Sequence, residues 1–395
     1  MPNLYVVTPV DAKTFVSEQV KAIKAVLADK RPLVATSGGV DSTTCAVLTL
    51  RAVGDNLLCV LIDDNFRRIG EPGSVTRMLS SLGLPVRLVD AGGEFMRRLS
   101  GIEDAEDKRR AYREAFYRTL ARVAKEEGCE YLVQGTIAAD WVETKGGIKT
   151  QHNVLEQIGI NPVERYGFRV IEPLVNLYKS QVRGIARYLG VPVAEKQPFP
   201  GPGLAIRVIG RITQEKLGIL RRVTAIVEEE LAGRRPSQYF AAIIDDEVID
   251  GPADRSMRRL ASASLGLPTQ SVKVETLKAR ATGIREGKRA YGRMALLSMA
   301  PAPRPSVSDL VKLQERLLSE NPEYTRLLVE VERSEGRYII AIRAVETMDF
   351  LTAKVTAIPW ETLWTTAFRT LRECNKVSRV CYDVTPKPPA TIEFE

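Results

Sequence analysis

Histidine is nearly absent from this sequence of 395 residues, because His152 is the only one. A single imidazole excludes zinc sites that need several histidines, such as the H-E-x-x-H helix of metalloproteases. Outside the neighbourhood of His152, it also excludes a hydrolytic nucleophile that is activated by histidine. Composition alone therefore argues against two common classes of hydrolase.

Cysteine is scarce too, with five residues, an odd number, and no C-x-x-C pair. Disulfide frameworks and C-x-x-C metal or redox motifs are therefore not expected. The sequence predicts reduced, buried thiols in a cytoplasmic protein. The five positions are Cys45, Cys59, Cys129, Cys374 and Cys381.

Long apolar runs are also missing, and the amino-terminal segment has no basic stretch followed by an apolar one. We therefore expect a chain that is neither secreted nor membrane-spanning. Basic charge, by contrast, is in excess: 57 Lys and Arg residues against 49 Asp and Glu residues give a net charge of +8. This excess favours anionic partners, either nucleotides or nucleic acid, without choosing between them.

Strands and helices alternate along the first half of the sequence. Apolar residues at three- and four-residue steps predict a helix over 15–29, and the apolar run 32–35 predicts a buried strand. The alternation continues to Leu189, which predicts a parallel, doubly wound α/β sheet. Further helices are predicted over 41–53, 71–82, 104–127 and 179–189, and further strands over 57–62, 86–89, 131–133 and 169–171. A Pro and Gly cluster at 198–203 indicates a boundary, so the first domain is expected to cover 1–207.

The second half, residues 208–395, has the pattern of a smaller α+β domain. Helices are predicted over 214–231 and 306–318 and before Arg379, with strands near 239–244, 272–279, 327–331 and 337–342. Two short segments resemble each other, because Glu286-Gly-Lys-Arg-Ala-Tyr and Glu335-Gly-Arg-Tyr both precede an apolar strand. This similarity leaves a duplicated hairpin open.

The segment Ser37-Gly38-Gly39-Val40-Asp41-Ser42 joins the first predicted strand to the next helix. Its glycines allow successive amides to turn toward one anion, its serines add hydroxyl donors, and the helix start favours a phosphate. An ordinary serine-capped turn is the alternative. Asp41 and the absence of the Walker lysine favour a phosphate site that includes a cation.

This loop resembles the pyrophosphate loop of the ATP pyrophosphatases, which have an adenine nucleotide alpha hydrolase-like fold and cut ATP between the α- and β-phosphates. The carboxyl terminus narrows the resemblance, because Ser378–Val384 and Lys387–Glu393 are similar to the xanthylate-binding tail of GMP synthetases. Further similar stretches begin at Gln134, Ile148, Glu172, Phe199 and Arg343. The resemblance extends from the first helix to the last residue.

The resemblance implies a reaction in two steps. The 2-oxo oxygen of xanthosine 5′-phosphate attacks the α-phosphate of ATP, and ammonia then displaces AMP to give GMP. It also implies that ATP and Mg²⁺ are required, that Asp41 and Asp140 contact the metal, and that a lid near 145–157 carries the catalytic residues Lys149 and His152. Members of the family usually have two adjacent histidines in this lid, whereas this chain has Gln151 before His152.

The site residues that the resemblance implies fall into three sets, for catalysis, ATP and xanthylate. Asp41 is counted as catalytic together with the lid residues, and Asp63 joins the six loop residues as ATP contacts. The xanthylate contacts are Arg68, Gly201, Pro202, Gly203, Arg379, Lys387, Thr391, Ile392 and Glu393.

Many GMP synthetases also contain a glutamine amidotransferase domain with a Cys-His-Glu triad. This sequence has no room for such a domain before the loop and no second histidine for its triad. The resemblance therefore implies free ammonia or a separate glutaminase subunit, and a homodimer formed by the second domain. Residues from about 246 to 335 are extra relative to the short bacterial form.

Two other functions stay open from the sequence. One is modification of a tRNA base by a related ATP pyrophosphatase, although the missing C-x-x-C pair and RNA-binding module argue against it. The other is a paralogue that amidates a different oxo-acid or binds a nucleotide without catalysis.

Overall fold

The computed structural model describes residues 10–138, 155, 159–192, 197, 199–234, 236–251, 253–299, 304–348 and 351–395. Contacts divide the chain into two compact units. The first comprises Met1–Arg98 and Arg110–Lys196, and the second comprises Leu99–Arg109 and Gln197–Glu395. The sequence instead predicts a first domain that covers all residues up to 207, and those domain limits stay a prediction.

The first unit is built on a sheet of five parallel strands in the order β3-β2-β1-β4-β5, as the alternating pattern predicts. The strands are β1 (Pro32–Thr36), β2 (Leu58–Asp63), β3 (Val86–Asp90), β4 (Tyr131–Val133) and β5 (Arg169–Ile171). The helices along this part of the chain are α1 (Ala12–Leu27), α2 (Val40–Val53), α3 (Glu71–Ser81), α4 (Gly92–Leu99), α5 (Ala105–Glu126), α6 (Pro162–Tyr166) and α7 (Lys179–Tyr188).

Helix α1 shows how the sequence produces this layer. Asp11 caps its first turn by accepting a hydrogen bond from the amide of Thr14 at 2.8 Å. One face then buries Val16, Ile23 and Leu27 in the same core as the apolar side chains of α2 and α7.

The strand order reverses direction at β1. Strands β2 and β3 lie on one side of it and β4 and β5 on the other. In open parallel sheets, ligands bind at the carboxyl ends of the strands at such a switch point. The loop Ser37–Gly39 follows the carboxyl end of β1, so the topology places it at that position.

The second unit contains a mixed sheet of eight strands with helices packed on it. The strands are β6 (Gln238–Asp245), β7 (Val248–Ile249), β8 (Val272–Arg285), β9 (Lys288–Met299), β10 (Tyr324–Arg333), β11 (Tyr338–Glu346), β12 (Lys354–Val355) and β13 (Val377–Asp383). The helices are α8 (Gln214–Leu231), α9 (Asp254–Leu265), α10 (Val307–Glu320) and α11 (Trp360–Glu373), with a 3-10 helix at Gly203–Arg207.

Most predicted elements occur where the sequence places them, but several were missed. Helix α9 has a charged sequence with few apolar residues, and α4 and α6 are short, so their periodicity is weak. The sequence of β13 indicates only a ligand motif, yet this strand lies in the middle of the sheet between β10 and β11.

Two of the compositional predictions can be compared with the structure. All five cysteines are buried and unbridged, as predicted. Within the described ranges, no helix combines the length and the apolar character that crossing a membrane requires.

Candidate active site

The loop after β1 turns sharply at Gly38, whose φ is +75°. A Cβ atom at this position would lie 2.6 Å from Cγ1 of Val75, which is closer than atoms can pack. Glycine is therefore required at Gly38 for both its backbone conformation and its lack of a side chain.

Hydroxyl groups hold the loop closed. The Ser42 hydroxyl accepts a hydrogen bond from the Ser37 amide at 3.1 Å, and the two serine Oγ atoms are also 3.1 Å apart. Gly39 is the N-cap residue of α2 and provides no side-chain cap. The amides of the first helical turn lie at this loop, as at other helix N-termini that bind phosphate.

A second glycine brings another segment against this loop. A Cβ atom at Gly135 would lie 2.7 Å from the Ser42 amide nitrogen, so the backbone after β4 packs directly on the loop. Gln134, the preceding residue, accepts a hydrogen bond from the Tyr117 hydroxyl at 2.7 Å, which fixes this segment. The contact explains why a glycine follows Gln134 in this motif.

Asp41 lies in the first turn of α2 and forms an ion pair with Lys179, the first residue of α7. The distance from Asp41 Oδ2 to Lys179 Nζ is 2.5 Å, and the two side chains are 24% and 46% exposed. A carboxylate and an ammonium group thus lie together beside the phosphate loop, partly open to solvent. The pair can accommodate an anion and a cation in close proximity.

Two other predicted residues of the first unit follow β2. Asp63 is the last residue of that strand, and its carboxylate accepts a hydrogen bond from the amide of Asn65 at 3.2 Å. The Arg68 guanidinium group lies 3.5 Å from Glu71 and is 20% exposed. Both side chains therefore have protein partners in this structure.

The carboxyl-terminal tail, Val384–Glu395, folds back onto the sheet of the second unit. It pairs with β8 through hydrogen bonds from the Thr282 amide to the Phe394 carbonyl at 2.8 Å and from the Ile284 amide to the Pro389 carbonyl at 2.7 Å. Ala390 and Phe394 are completely buried. The tail is therefore a docked segment, and not a solvated end.

A buried ionic network supports this tail. Asp383 Oδ2 lies 2.5 Å from Arg326 Nη1 and 2.7 Å from Arg343 Nη1, and none of the three side chains is exposed to solvent. Both guanidinium groups also donate to the Thr391 carbonyl oxygen at 2.9 Å. Burial lowers the pKa of Arg326 to about 10, although Asp383 opposes that shift.

Glu393 accepts two hydrogen bonds from one buried arginine. Arg207 donates through Nε at 2.9 Å and Nη2 at 2.8 Å, and Gln238 donates to the same carboxylate at 3.1 Å. The Arg207 guanidinium carbon also lies 4.0 Å from the centre of the Phe240 ring. The Glu393 side chain, which is 17% exposed, is thereby fixed with part of its carboxylate surface open.

The remaining predicted residues of the second unit have mixed surroundings. Arg379 pairs with Glu275 at 2.8 Å and with Asp246 at 3.0 Å, so three side chains share one cluster. Lys387 exchanges two backbone hydrogen bonds with Ala353, at 2.8 and 3.0 Å. Gly201 and Pro202 precede the 3-10 helix that begins at Gly203, and Ile392 is 9% exposed in the docked tail.

Comparison with known proteins identifies both halves of the sequence. Residues 12–196 match the PP-loop domain, and residues 328–394 match the GMP synthase C terminal domain. The chain is 44% identical over 389 residues to a subunit of the glutamine-hydrolysing GMP synthase of Sulfurisphaera tokodaii, covering 98% of this chain and 99% of that one.

The subunits of the same name from Saccharolobus islandicus and Methanopyrus kandleri are 42% and 38% identical, each over 98% of this chain. This chain belongs to the GMP synthase family. Among solved structures, an NMN synthetase from Francisella tularensis has a TM-score of 0.40 at 17% identity, over 49% of this chain and 78% of that one.

Three residues predicted from the GMP synthase resemblance, Asp140, Lys149 and His152, lie outside the described residues. Among the residues that the structure does describe, no group of three or more His, Cys, Asp and Glu side chains could hold a metal ion. Asp41 is thus the predicted metal contact whose surroundings can be described.

Two charged residues that contact predicted site residues are not predicted from the sequence: Lys179 beside Asp41 and Arg326 beside Thr391. Arg326 directly precedes the predicted apolar strand 327–331. It could have been noticed, because an arginine beside buried strand residues indicates a buried ion pair. Lys179 offers no such signal, since a lysine in a first helical turn is commonplace.

Proposed function

We propose that this chain is the synthetase subunit of a GMP synthase. It uses ATP to adenylate xanthosine 5′-phosphate and ammonia to displace AMP, with GMP and pyrophosphate as the other products. The observation that carries the proposal is the loop Ser37–Ser42, where a helix N-terminus lies beside the Asp41–Lys179 ion pair. The same chain carries the docked tail, which lies in the part that matches the GMP synthase C terminal domain.

The first unit supplies the chemistry at ATP. Amides and hydroxyls of Ser37 to Ser42 bind the leaving pyrophosphate and stabilise its charge as the bond to the α-phosphate breaks. Lys179 adds a positive charge beside the loop. Asp63 contacts the nucleotide in this proposal, while Lys149 and His152 act from the lid.

Mg²⁺ is part of the proposal, with Asp41 and Asp140 as its contacts. The fit rests on Asp41, because a partly exposed carboxylate beside a phosphate-binding loop suits a hard cation that prefers oxygen ligands. When bound, the ion neutralises charge on the phosphates. Lys179 pairs with the same carboxylate, so Asp41 would exchange this partner in order to hold the ion.

The residues proposed for xanthosine 5′-phosphate belong to the second unit, apart from Arg68. Glu393 accepts a hydrogen bond from a purine N–H, since Arg207 and Gln238 fix its carboxylate without using all its lone pairs. Lys387 and Arg379 contribute positive charge, although Arg379 must exchange at least one of its carboxylate partners. The backbone at Gly201–Gly203, Thr391 and Ile392 form the remaining contacts.

Ammonia comes from a separate glutaminase subunit or from solution. The relatives' names indicate a glutamine-hydrolysing enzyme made of subunits, and the described residues contain no histidine to activate a glutaminase cysteine. A cytoplasmic location belongs to the same proposal, because five unbridged thiols suit a reducing compartment. The homodimer implied by the resemblance stays a prediction.

The test is an assay of the purified chain with ATP, Mg²⁺, xanthosine 5′-phosphate and ammonium chloride, which follows GMP, AMP and pyrophosphate. A parallel reaction contains glutamine in place of ammonium. We expect GMP with ammonium and none with glutamine. No GMP from folded protein that binds ATP would contradict the proposal.

A further inference from the structure

The second unit contains one order of elements twice. The sets α8-β6-β11-α11-β13 and α9-β8-β9-α10-β10 both run helix, strand, strand, helix, strand. In each set the first two strands are antiparallel neighbours, and the last strand is parallel to the second. The similar segments Glu286-Gly-Lys-Arg and Glu335-Gly-Arg lie where β9 and β11 begin.

The second set is inserted at the tip of a hairpin in the first. Strands β6 and β11 pair along their whole length, and the chain between them forms β7 and the second set. The Asp246 amide, just after β6, donates to the Arg337 carbonyl, just before β11, at 2.9 Å. The two ends of the segment 247–336 are therefore adjacent, as expected for an insertion into a simple turn.

The two sets meet edge to edge through β10 and β13, which are antiparallel. Val329 lies opposite Tyr382, and a two-fold axis at this pair relates residues 324–330 of β10 to the β13 residues 53 positions later. The axis aligns Thr325-Arg-Leu-Leu-Val-Glu-Val with Ser378-Arg-Val-Cys-Tyr-Asp-Val. Arg326 thus corresponds to Arg379, and Glu330 corresponds to Asp383.

The contacts obey the same two-fold relation. Arg326 pairs across the strands with Asp383 at 2.5 Å, and Arg379 faces Glu330 at 3.8 Å. The corresponding residues Thr325 and Ser378 follow the same relation through their hydroxyl groups. Thr325 donates to the Arg293 carbonyl at 3.4 Å, and Ser378 donates to the Tyr338 carbonyl at 3.0 Å.

Two copies that pair through antiparallel edge strands about a two-fold axis form the arrangement by which identical chains make an isologous dimer. Here both copies belong to one chain. The edge of β13 that a second chain could pair with is already occupied by β10.

Only one copy continues into a tail, and the other copy binds it. After β13 the chain forms Val384–Glu395, whereas after β10 it turns directly into β11. The inserted copy provides Arg326, which donates to the Glu393 carbonyl at 2.6 Å, and Thr282, whose Oγ1 lies 2.5 Å from Thr391 Oγ1.

We propose that residues 247–336 are an internal copy that takes the place of a second chain. The copy closes the sheet edge at β13 and provides Arg326 and Thr282 to hold the tail of the other copy. The chain is then complete as a monomer, and its predicted homodimer is unnecessary. The link from the tail to xanthosine 5′-phosphate rests on the proposed function, but the copy and the monomer do not.

The first experiment measures the mass of the full-length chain by light scattering at the concentration used in the assay. We expect the mass of one chain. A mass of two chains would overturn the proposal, because the internal copy would then not have replaced a partner.

The second experiment measures hydrogen exchange in the tail peptide of the full chain carrying Thr282→Val, a substitution of nearly equal volume. We expect exchange at Thr391–Phe394 to become about tenfold faster, since the hydroxyl contact with Thr391 is lost. Arg326→Lys is a second variant with the same expected direction. Thr365→Val is the matched control, because its hydroxyl donates to the Glu361 carbonyl within the same helix, α11.

Unchanged tail exchange in Thr282→Val and Arg326→Lys would overturn the assigned role of the copy. Kinetics add a functional readout: both variants are expected to raise KM for xanthosine 5′-phosphate and leave KM for ATP unchanged. If the chain makes no GMP at all, the proposed function fails, while the mass and exchange results still decide whether the internal copy holds the tail.

Discussion

The phosphate loop and the carboxyl-terminal tail are organised in opposite ways. The loop Ser37–Ser42 is held by hydrogen bonds between residues two to five positions apart, and its Ser37 and Gly39 are exposed. The tail is held by residues far away in sequence, with Arg207 186 positions from Glu393 and Lys108 287 positions from Glu395. The loop is a local structure, whereas the tail exists only in the folded second unit.

Because of this difference, substitutions in the loop and substitutions beneath the tail should have different effects. Substitutions in the loop should alter catalysis and leave the fold intact, because its side chains are partly solvated. Substitutions beneath the tail should first alter stability, because they leave buried charges without partners.

The largest effect is expected from Asp41→Ala. Loss of this carboxylate beside the loop should lower kcat by roughly a thousandfold, the size of effect seen when one preorganised electrostatic group is removed. The unfolding midpoint in urea should stay close to wild type, since the side chain is 24% exposed. Pyrophosphate release is the readout, and Asp29→Ala, an exposed site in the same unit, is the control. Retained turnover would contradict the role of Asp41.

The next effect concerns stability beneath the tail. Asp383→Asn leaves Arg326 and Arg343 buried without a counter-charge and should destabilise the chain by about 3–5 kcal/mol. Glu330→Gln removes the equivalent carboxylate of the inserted copy. Its side chain is 12% exposed and 3.8 Å from Arg379, so a loss of about 1 kcal/mol is expected. Urea unfolding compares the two variants. Equal losses in the free energy of unfolding would contradict the expectation that Asp383 contributes more to stability than Glu330.

The loop could be predicted from the sequence by physics, while the tail could not. Gly38, Asp41 and Ser42 adjoin a predicted strand and helix, so their relation to a helix N-terminus follows from neighbouring residues. The tail was recognised only by resemblance to a family. Its supports Arg326 and Arg343 come from strands distant in sequence, and no local pattern indicates that both would face Asp383.

The internal copy was predictable only in part, for a related reason. The similarity before β9 and β11 was visible, but it suggested a duplicated hairpin. In the structure the turn at Glu335 joins β10 to β11, which are not neighbours, because β13 lies between them. Pairing of β13 with β10 is a long-range choice that the hydrophobic pattern of either strand leaves undetermined.

A smaller effect is expected at the nucleotide contact of the tail. Glu393→Gln keeps the shape of the side chain but removes the charge that Arg207 holds in place. KM for xanthosine 5′-phosphate should rise about tenfold, and KM for ATP should not change, because Glu393 is not one of the proposed ATP contacts. Steady-state kinetics test this, with Glu361→Gln at an exposed position of α11 as the control. An unchanged KM for the acceptor would remove Glu393 from the site.

The last effect concerns the pH dependence of stability. Glu395 is buried against Lys108 and Arg109, and it accepts a hydrogen bond from the Gly210 amide at 3.2 Å. Burial raises the pKa of Glu395 from 4.5 to about 7, while Lys108 opposes the shift.

Between these two values the folded chain binds the proton more tightly than the unfolded chain does. The contribution of Glu395 to stability is therefore present below about pH 4.5 and is lost as the pH rises toward 7. Glu395→Gln cannot titrate, so its free energy of unfolding should fall less over this window than that of the wild type. Urea unfolding at several pH values tests this. Parallel curves for the variant and the wild type would show that protonation of Glu395 does not contribute to stability.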